Sequence, residues 1–133
     1  MKKILLIFGL FFQKFIEVIT GISIPYSVQV GKELYIGHFG GIIINSRAII
    51  GDNCNISQGV TIGVSGKGEN RGVPTIGNNV YIGVNSVVAG PIYVGDNSVI
   101  AANSLVTKDV LPNVTVMGVP AIKISDNNSA QYI

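Results

Sequence analysis

Aliphatic residues recur every six positions along most of the chain. Ile76, Ile82, Val88, Val94, Ile100 and Val106 form one unbroken run, Ile44, Ile50, Ile56 and Ile62 a second, and Val30 and Ile36 a third. The next residue is in most units glycine or another small residue, as at Gly31, Gly51, Gly77, Ala89 and Gly95. Four places after the aliphatic comes a second inward position, filled by Ala48, Cys54, Val60, Val80, Ser86, Ile92, Ser98, Ser104 and Val110. A period of six fits neither the 3.6-residue helix nor a plain two-residue alternation. It predicts an all-β solenoid in which each hexapeptide supplies one short strand and a corner, and in which only stacking buries the aliphatic column. The corner triplets Gly51-Asp52-Asn53, Gly77-Asn78-Asn79 and Gly95-Asp96-Asn97 are expected to turn the chain, with glycine and asparagine supplying positive φ.

Ahead of the repeat, Met1-Lys2-Lys3 is followed by nine apolar or glycine residues, Ile4 to Phe12. Gln13, Lys14 and Glu17 end that run well short of the ~20 residues a spanning helix needs, and no small-x-small cleavage site follows. The pattern predicts an amphipathic helix over residues 3–19. Its apolar face is expected to pack on the first coil or on a neighbouring subunit, with peripheral membrane contact as the alternative. The chain divides into an N-terminal helical segment (1–21), the solenoid (22–125) and a polar tail (126–133).

The phase breaks twice. Between Ile36 and Ile44 the spacing is eight, and this stretch, Gly37-His38-Phe39-Gly40-Gly41-Ile42-Ile43, holds the only histidine. Between Ile62 and Ile76 it is fourteen, and the inserted residues within Gly63 to Pro74 are polar and glycine-rich, so they should project as a loop. Segments that interrupt a rigid scaffold are where binding and catalytic groups concentrate. An imidazole is suited to taking a proton from an attacking hydroxyl near neutral pH, which makes His38 the candidate general base.

Composition narrows the function classes. A chain of 133 residues that is 47% hydrophobic and 12% charged has room for one domain and much surface to bury. Nine scattered Lys and Arg against seven Asp and Glu leave no nucleic-acid footprint. One cysteine and one histidine supply neither a disulfide framework nor a multi-histidine metal site, which fits a reducing, cytoplasmic setting and a site without metal.

The Ile-Gly-x-Asn units, the segment from Gly37 to Asn45 and the ending Gly118-Val119-Pro120-Ala121 resemble hexapeptide-repeat acyltransferases, in particular serine acetyltransferases and the serine-acetyltransferase-like enzymes of polysaccharide gene clusters. The resemblance covers residues 22 to 125. It implies a left-handed parallel β-helix with three hexapeptides per coil, a homotrimer with active sites between subunits, acetyl-CoA as co-substrate, and His38 as the base. By the same likeness Gly63, Ser65 and Gly66 lie beside the pantetheine arm, Ala102, Thr107 and Lys108 contact the cofactor, and Lys123 falls near a basic position of the family. The family's orienting aspartates are replaced by Ser23 and Gly37. The loop stretch Asp-Arg-His-Pro of the serine enzymes reads Asn70-Arg71-Gly72-Val73-Pro74 here, which keeps Arg71 for an acceptor carboxylate or phosphate and lacks the histidine. The expectation is therefore O-acetylation of a small acceptor. A sugar hydroxyl of polysaccharide synthesis is preferred over free serine, and a non-catalytic trimeric scaffold is the reading from another class.

Overall fold

A computed structural model describes all 133 residues as a helix, α1 (Lys2–Thr20), leading into a parallel β-helix. β1 (Ile22–Ser23), β2 (Gln29–Val30) and β3 (Tyr35–Ile36) make the first coil, and β4 (Ile42–Ile44), β5 (Ile49–Ile50) and β6 (Asn55–Ile56) the second. β7 (Thr61–Gly63), β8 (Thr75–Ile76) and β9 (Tyr81–Ile82) form the third, followed by β10 (Val87–Ala89), β11 (Tyr93–Val94) and β12 (Val99–Ile100). β13 (Leu105–Val106) and β14 (Thr115–Gly118) begin a fifth coil, which β15 (Ala121–Ser125) closes by turning back antiparallel on β14. Like strands stack into three sheets: A (β1, β4, β7, β10, β13), B (β2, β5, β8, β11) and C (β3, β6, β9, β12, β14, β15). The architecture is a left-handed β-helix of hexapeptide repeats with a short N-terminal helix.

The six-residue period is the geometry of this prism. Ile44 pairs with Ile62, and Ile82 with Ile100, eighteen residues apart and so three hexapeptides per coil. The aliphatic column from Ile44 to Val106 is buried throughout, as are all nine residues of the second inward position. Truncating one of the central isoleucines to alanine would cost ~2–5 kcal/mol. The small inward residues sit where the prism narrows at its corners. Ser98 Oγ donates to Gly95 O at 2.7 Å, Ser104 Oγ to Ala101 O at 2.6 Å, and Cys54 Sγ to Gly77 O at 3.2 Å. Burial pushes the Cys54 thiol pKa up, which leaves it an inert core residue.

The corners divide labour differently from the sequence expectation. Asn53, Asn79, Asn97 and Asn113, on the edge from sheet B to sheet C, have φ between 52° and 59°, whereas Gly51, Gly77 and Gly95 in the same triplets do not have positive φ. Those glycines are required by proximity instead: a Cβ on Gly51 would lie 2.5 Å from the Gly77 carbonyl oxygen of the next coil. The asparagines also form a ladder, with Asn53 Nδ2 donating to Asn79 Oδ1 at 2.9 Å, Asn79 to Asn97 at 3.0 Å and Asn97 to Asn113 at 3.1 Å.

Two terminal segments show more than the pattern predicted. Within α1 only Gln13, Glu17 and Thr20 are half-buried, and Gln13 Nε2 reaches Ile24 O at 3.3 Å; Leu5, Leu6, Leu10 and Ile16 beside them line a hollow of about 650 Å³ with Ile22, Ile24 and Tyr26 of the first coil. The expectation that the apolar face packs on the first coil is thereby corrected in part: only the edge of that face looks onto the coil, across the hollow, and the stripe through Phe8, Phe11 and Phe15 turns away and is exposed. The polar residues after β15 form a strap. They recross sheet C, where Ser129 is buried and its N–H donates to Asn97 O, Asn55 Nδ2 donates to Tyr132 O at 2.7 Å, and Tyr132 stacks on Tyr81 at 4.5 Å.

Replacing Asn79 by alanine forces an L side chain into positive φ and cuts the ladder on both sides. Urea unfolding should show a loss of about 2–3 kcal/mol for Asn79→Ala, and about 1 kcal/mol for Asn79→Gly, which keeps the backbone at ease.

Candidate functional site

The two breaks in phase lie on two different edges of the prism. On the edge from sheet C to sheet A, β3 pairs with β6 and β4 with β7, so the segment between β3 and β4 carries two residues more than its counterpart in the next coil. Gly40 (φ 105°) and Gly41 (φ 67°) turn the chain back, and Gly59 N donates to Gly40 O at 3.0 Å. The extra length is thrown outward, which leaves His38 and Phe39 exposed at the crest. Gln58, Asn85 and Ala102 occupy the same edge in successive coils, so Ala102 lies about 14 Å above His38 along the axis at the ~4.8 Å strand spacing. Gln58 and Asn85 carry no phase signal of their own in the sequence; only the stacking of corners reveals that they share the His38 edge.

Ser23, at one of the positions where the family has an orienting aspartate, lies on β1 on the side of Glu17 rather than of His38. The Lys14 ammonium, and after it the Ser23 hydroxyl, hold the Glu17 pKa below its ordinary value. Gly37 offers no side chain to the imidazole.

On the edge from sheet A to sheet B, the insertion folds as a hairpin. Ser65 and Gly72 exchange both backbone hydrogen bonds at 3.0 Å, and a 3₁₀ turn, Gly68–Asn70, closes the tip. Gly66 adopts φ 93° with its α-carbon against the Asn70 carbonyl, and Gly72 packs on Pro91 of the next coil. The insertion projects as expected, and it brings Gly63, Ser65, Gly66 and Arg71 into one hairpin, with the Arg71 side chain exposed. Thr107 and Lys108 lie on the same edge two coils on, about 10 Å along the axis. Lys108 and Lys123 line one shallow hollow of about 210 Å³ at the end of the solenoid, where Lys123 pairs with Asp126 at 2.5 Å.

The candidate residues thus form two groups within one chain. His38 and Ala102 are on one edge; the hairpin, Thr107 and Lys108 are on the other, and the width of sheet A separates them. The outward residues of that sheet, Ile43, Thr61, Val87 and Leu105, stand in register and are exposed or half-buried. The largest hollow of the chain, about 710 Å³, lies elsewhere, between sheet C and the C-terminal strap, with Ala102 on its rim.

Residues 74–108 match the family model described as "Bacterial transferase hexapeptide (six repeats)". Over these repeats the chain is similar to the hexapeptide-repeat transferases. It is 41% identical over 104 residues to a serine acetyltransferase of Synechococcus elongatus, covering 78% of this chain and 43% of that protein. With a serine acetyltransferase of Mycobacterium tuberculosis it shares 39% over 107 residues, 80% of this chain and 47% of the other. Among solved structures, the serine acetyltransferase of Brucella abortus in complex with coenzyme A superposes with a TM-score of 0.85 at 36% identity, over 91% of this chain and 48% of that one. The Neisseria gonorrhoeae serine acetyltransferase in complex with serine gives 0.80 at 36%, over 89% and 48%. This hexapeptide-repeat chain therefore spans about half the length of the relatives it matches. All of these relatives are named serine acetyltransferases, and none is named for a sugar or for polysaccharide synthesis.

Since the crest of the His38 bulge makes no contribution to the core, His38→Ala should leave the unfolding free energy within about 0.5 kcal/mol of the parent, measured by urea denaturation.

Proposed function

We propose that the chain is an acetyl-CoA-dependent serine O-acetyltransferase that works as a homotrimer, with each active site formed where the His38 edge of one protomer meets the hairpin edge of the next. The observation that carries this reading is the division of the candidate residues between two edges of one prism, flanking a sheet whose outward residues are small to medium in size and largely apolar. Closed threefold association sets unlike edges of neighbouring copies side by side. That arrangement supplies in the assembly the cleft that a single convex prism lacks. Identity of about 40% to serine acetyltransferases supports the acceptor.

In this reading the His38 imidazole takes the hydroxyl proton of serine as its oxygen attacks the thioester carbonyl carbon of acetyl-CoA. The carbonyl π electrons move to oxygen, giving a tetrahedral oxyanion that backbone N–H groups of the corners stabilise. When the carbonyl re-forms, the carbon–sulfur bond breaks, and the departing thiolate takes the proton back from the imidazolium. O-acetylserine and CoA leave, and no acyl-enzyme is formed. Arg71 offers a planar pair of donors to the serine carboxylate, a geometry that a lysine would not reproduce. Gly63, Ser65 and Gly66 present backbone along the path of the pantetheine arm, and the absence of bulky side chains there lets a thin chain approach. Thr107 and Lys108, with Lys123 beside Lys108, suit the nucleotide phosphates as hydroxyl and point charges.

Three substitutions separate these roles by steady-state kinetics with L-serine and acetyl-CoA. His38→Ala should lower kcat by at least about 10²-fold, the range that general-base catalysis commonly supplies. Arg71→Ala should raise the KM for serine about tenfold or more while the KM for acetyl-CoA stays near its original value, and Lys108→Ala should do the reverse. Turnover of a sugar hydroxyl but not of L-serine would return the acceptor to the polysaccharide class. Absence of both turnover and acetyl-CoA binding would leave the scaffold reading.

A further inference from the structure

The outward face of α1 has no role in the fold or in the proposed chemistry. Ile4, Phe8, Phe11, Phe15 and Val18 follow one another at four- and three-residue steps and form a single stripe, which Ile7 borders on one side and Phe12 and Ile19 on the other. At 100° per residue these eight side chains occupy about two-fifths of the circumference of the helix. All eight are exposed, Phe11 by 68% and Val18 by 82%, because the opposite side, with Gln13, Glu17 and Thr20, is the one turned toward the solenoid. A surface helix of a water-soluble domain is built the other way round.

We propose that this face lies in the plane of an anionic lipid surface and seats the first coil of the solenoid against it. The width of the apolar arc argues for a lipid plane rather than a second copy of the helix. A facing helix covers a seam of two positions in seven, and would leave the flanking Phe12 and Ile19 in water, whereas a plane covers the whole arc. Charge agrees: Lys2, Lys3 and Lys14 are the basic residues of the helix, and Glu17, on the body-facing side and paired with Lys14 at 2.7 Å, is its only acidic one. Lys3 and Lys14 border the arc next to Ile7 and Val18, where in-plane helices carry lysines toward headgroups. No helix of the chain is long and apolar enough to cross a membrane, and an in-plane helix does not need to be.

The attachment of α1 gives the contact a direction. Gly21 ends the helix in a left-handed conformation (φ 67°), and its carbonyl accepts from Ile42 N at 3.1 Å. A Cβ on Gly21 would stand 3.1 Å from Gly41 N, so the helix end is packed on the turn that carries the His38 bulge. A helix lying on lipid therefore brings the His38 edge close to the surface. The inference does not rest on the identity of the acceptor.

The test is sedimentation of the purified full chain with vesicles of phosphatidylglycerol and phosphatidylcholine in equal parts, and with vesicles of phosphatidylcholine alone. The chain should bind the anionic vesicles, and the combined change Phe8→Ser, Phe11→Ser, Phe15→Ser should weaken binding at least about tenfold. Lys2→Gln with Lys3→Gln should weaken binding to the anionic vesicles and leave the neutral ones little affected. The phenylalanine side chains point away from the solenoid and Lys2 and Lys3 are exposed, so the melting temperature serves as a control and should hold. Failure of the parent chain to bind either vesicle would overturn the inference, as would parent-like binding by the triple phenylalanine variant. A concentration-dependent doubling of mass without vesicle binding, abolished by the same phenylalanine changes, would overturn it in favour of a second copy.

Discussion

One coil of this molecule rests on the next at the distance of neighbouring strands, about 4.8 Å, and at the corners the contact is backbone against backbone. That closeness excludes a Cβ at Gly51, Gly77, Gly83 and Gly95, and it aligns corner asparagines so that each amide reaches the one above. It also fixes the phase of the aliphatic column, because a side chain one position out of register would point out of the prism rather than into it. Glycine, asparagine and isoleucine are thus three answers to one spacing.

A scaffold so tightly specified can vary only where it does not stack. The two insertions sit at corners, where extra residues leave the strand pairing on either side intact: β3 still meets β6, and β5 still meets β8. Each insertion is closed by its own short-range bonds, the Gly40–Gly41 turn in one case and the Ser65–Gly72 bridge in the other. His38 and Arg71 are consequently displayed on rigid supports but on different edges. A convex prism gathers them into one site only by association, which links the proposed catalysis to assembly more directly than in a fold that encloses its own cleft.

Much of this was legible in the sequence because the period of six is a local consequence of the stacking. Ile76 to Val106 and Ala48 to Val110 could be assigned inward from spacing alone, and the lengths of both insertions followed from the phase. What the sequence concealed depends on partners far along the chain. The strap relies on Ser129 finding Asn97 and on Tyr132 finding Asn55 and Tyr81, and nothing in the polar string from Asp126 to Ile133 marks those contacts. The amphipathic pattern of α1 was visible, but its orientation was not. A helical period shows that two faces differ; it does not show which of them a neighbour will take, and here Gln13 and the Ile24 carbonyl decided. The corner glycines were found for the wrong reason, since a glycine required by a neighbour's approach and one required by positive φ look alike in sequence. Serine as the proposed acceptor rests on the relatives rather than on the loop, where Gly72 stands in place of the serine enzymes' histidine.

The central claim is that one site is shared by two protomers, and complementation tests it most directly. Co-expressing the His38→Ala chain with a chain carrying Arg71→Ala and Lys108→Ala, then purifying the mixed assembly, yields boundaries at which an intact His38 edge faces an intact hairpin edge. If the account is right, the mixed protein regains about a third of the parent's serine acetylation per site at low substrate, since every mixed trimer has one intact boundary in three, while each variant alone stays near background. If mixed assemblies form and no activity returns, the His38 edge and the hairpin edge act within one chain or not at all, and the shared site is contradicted.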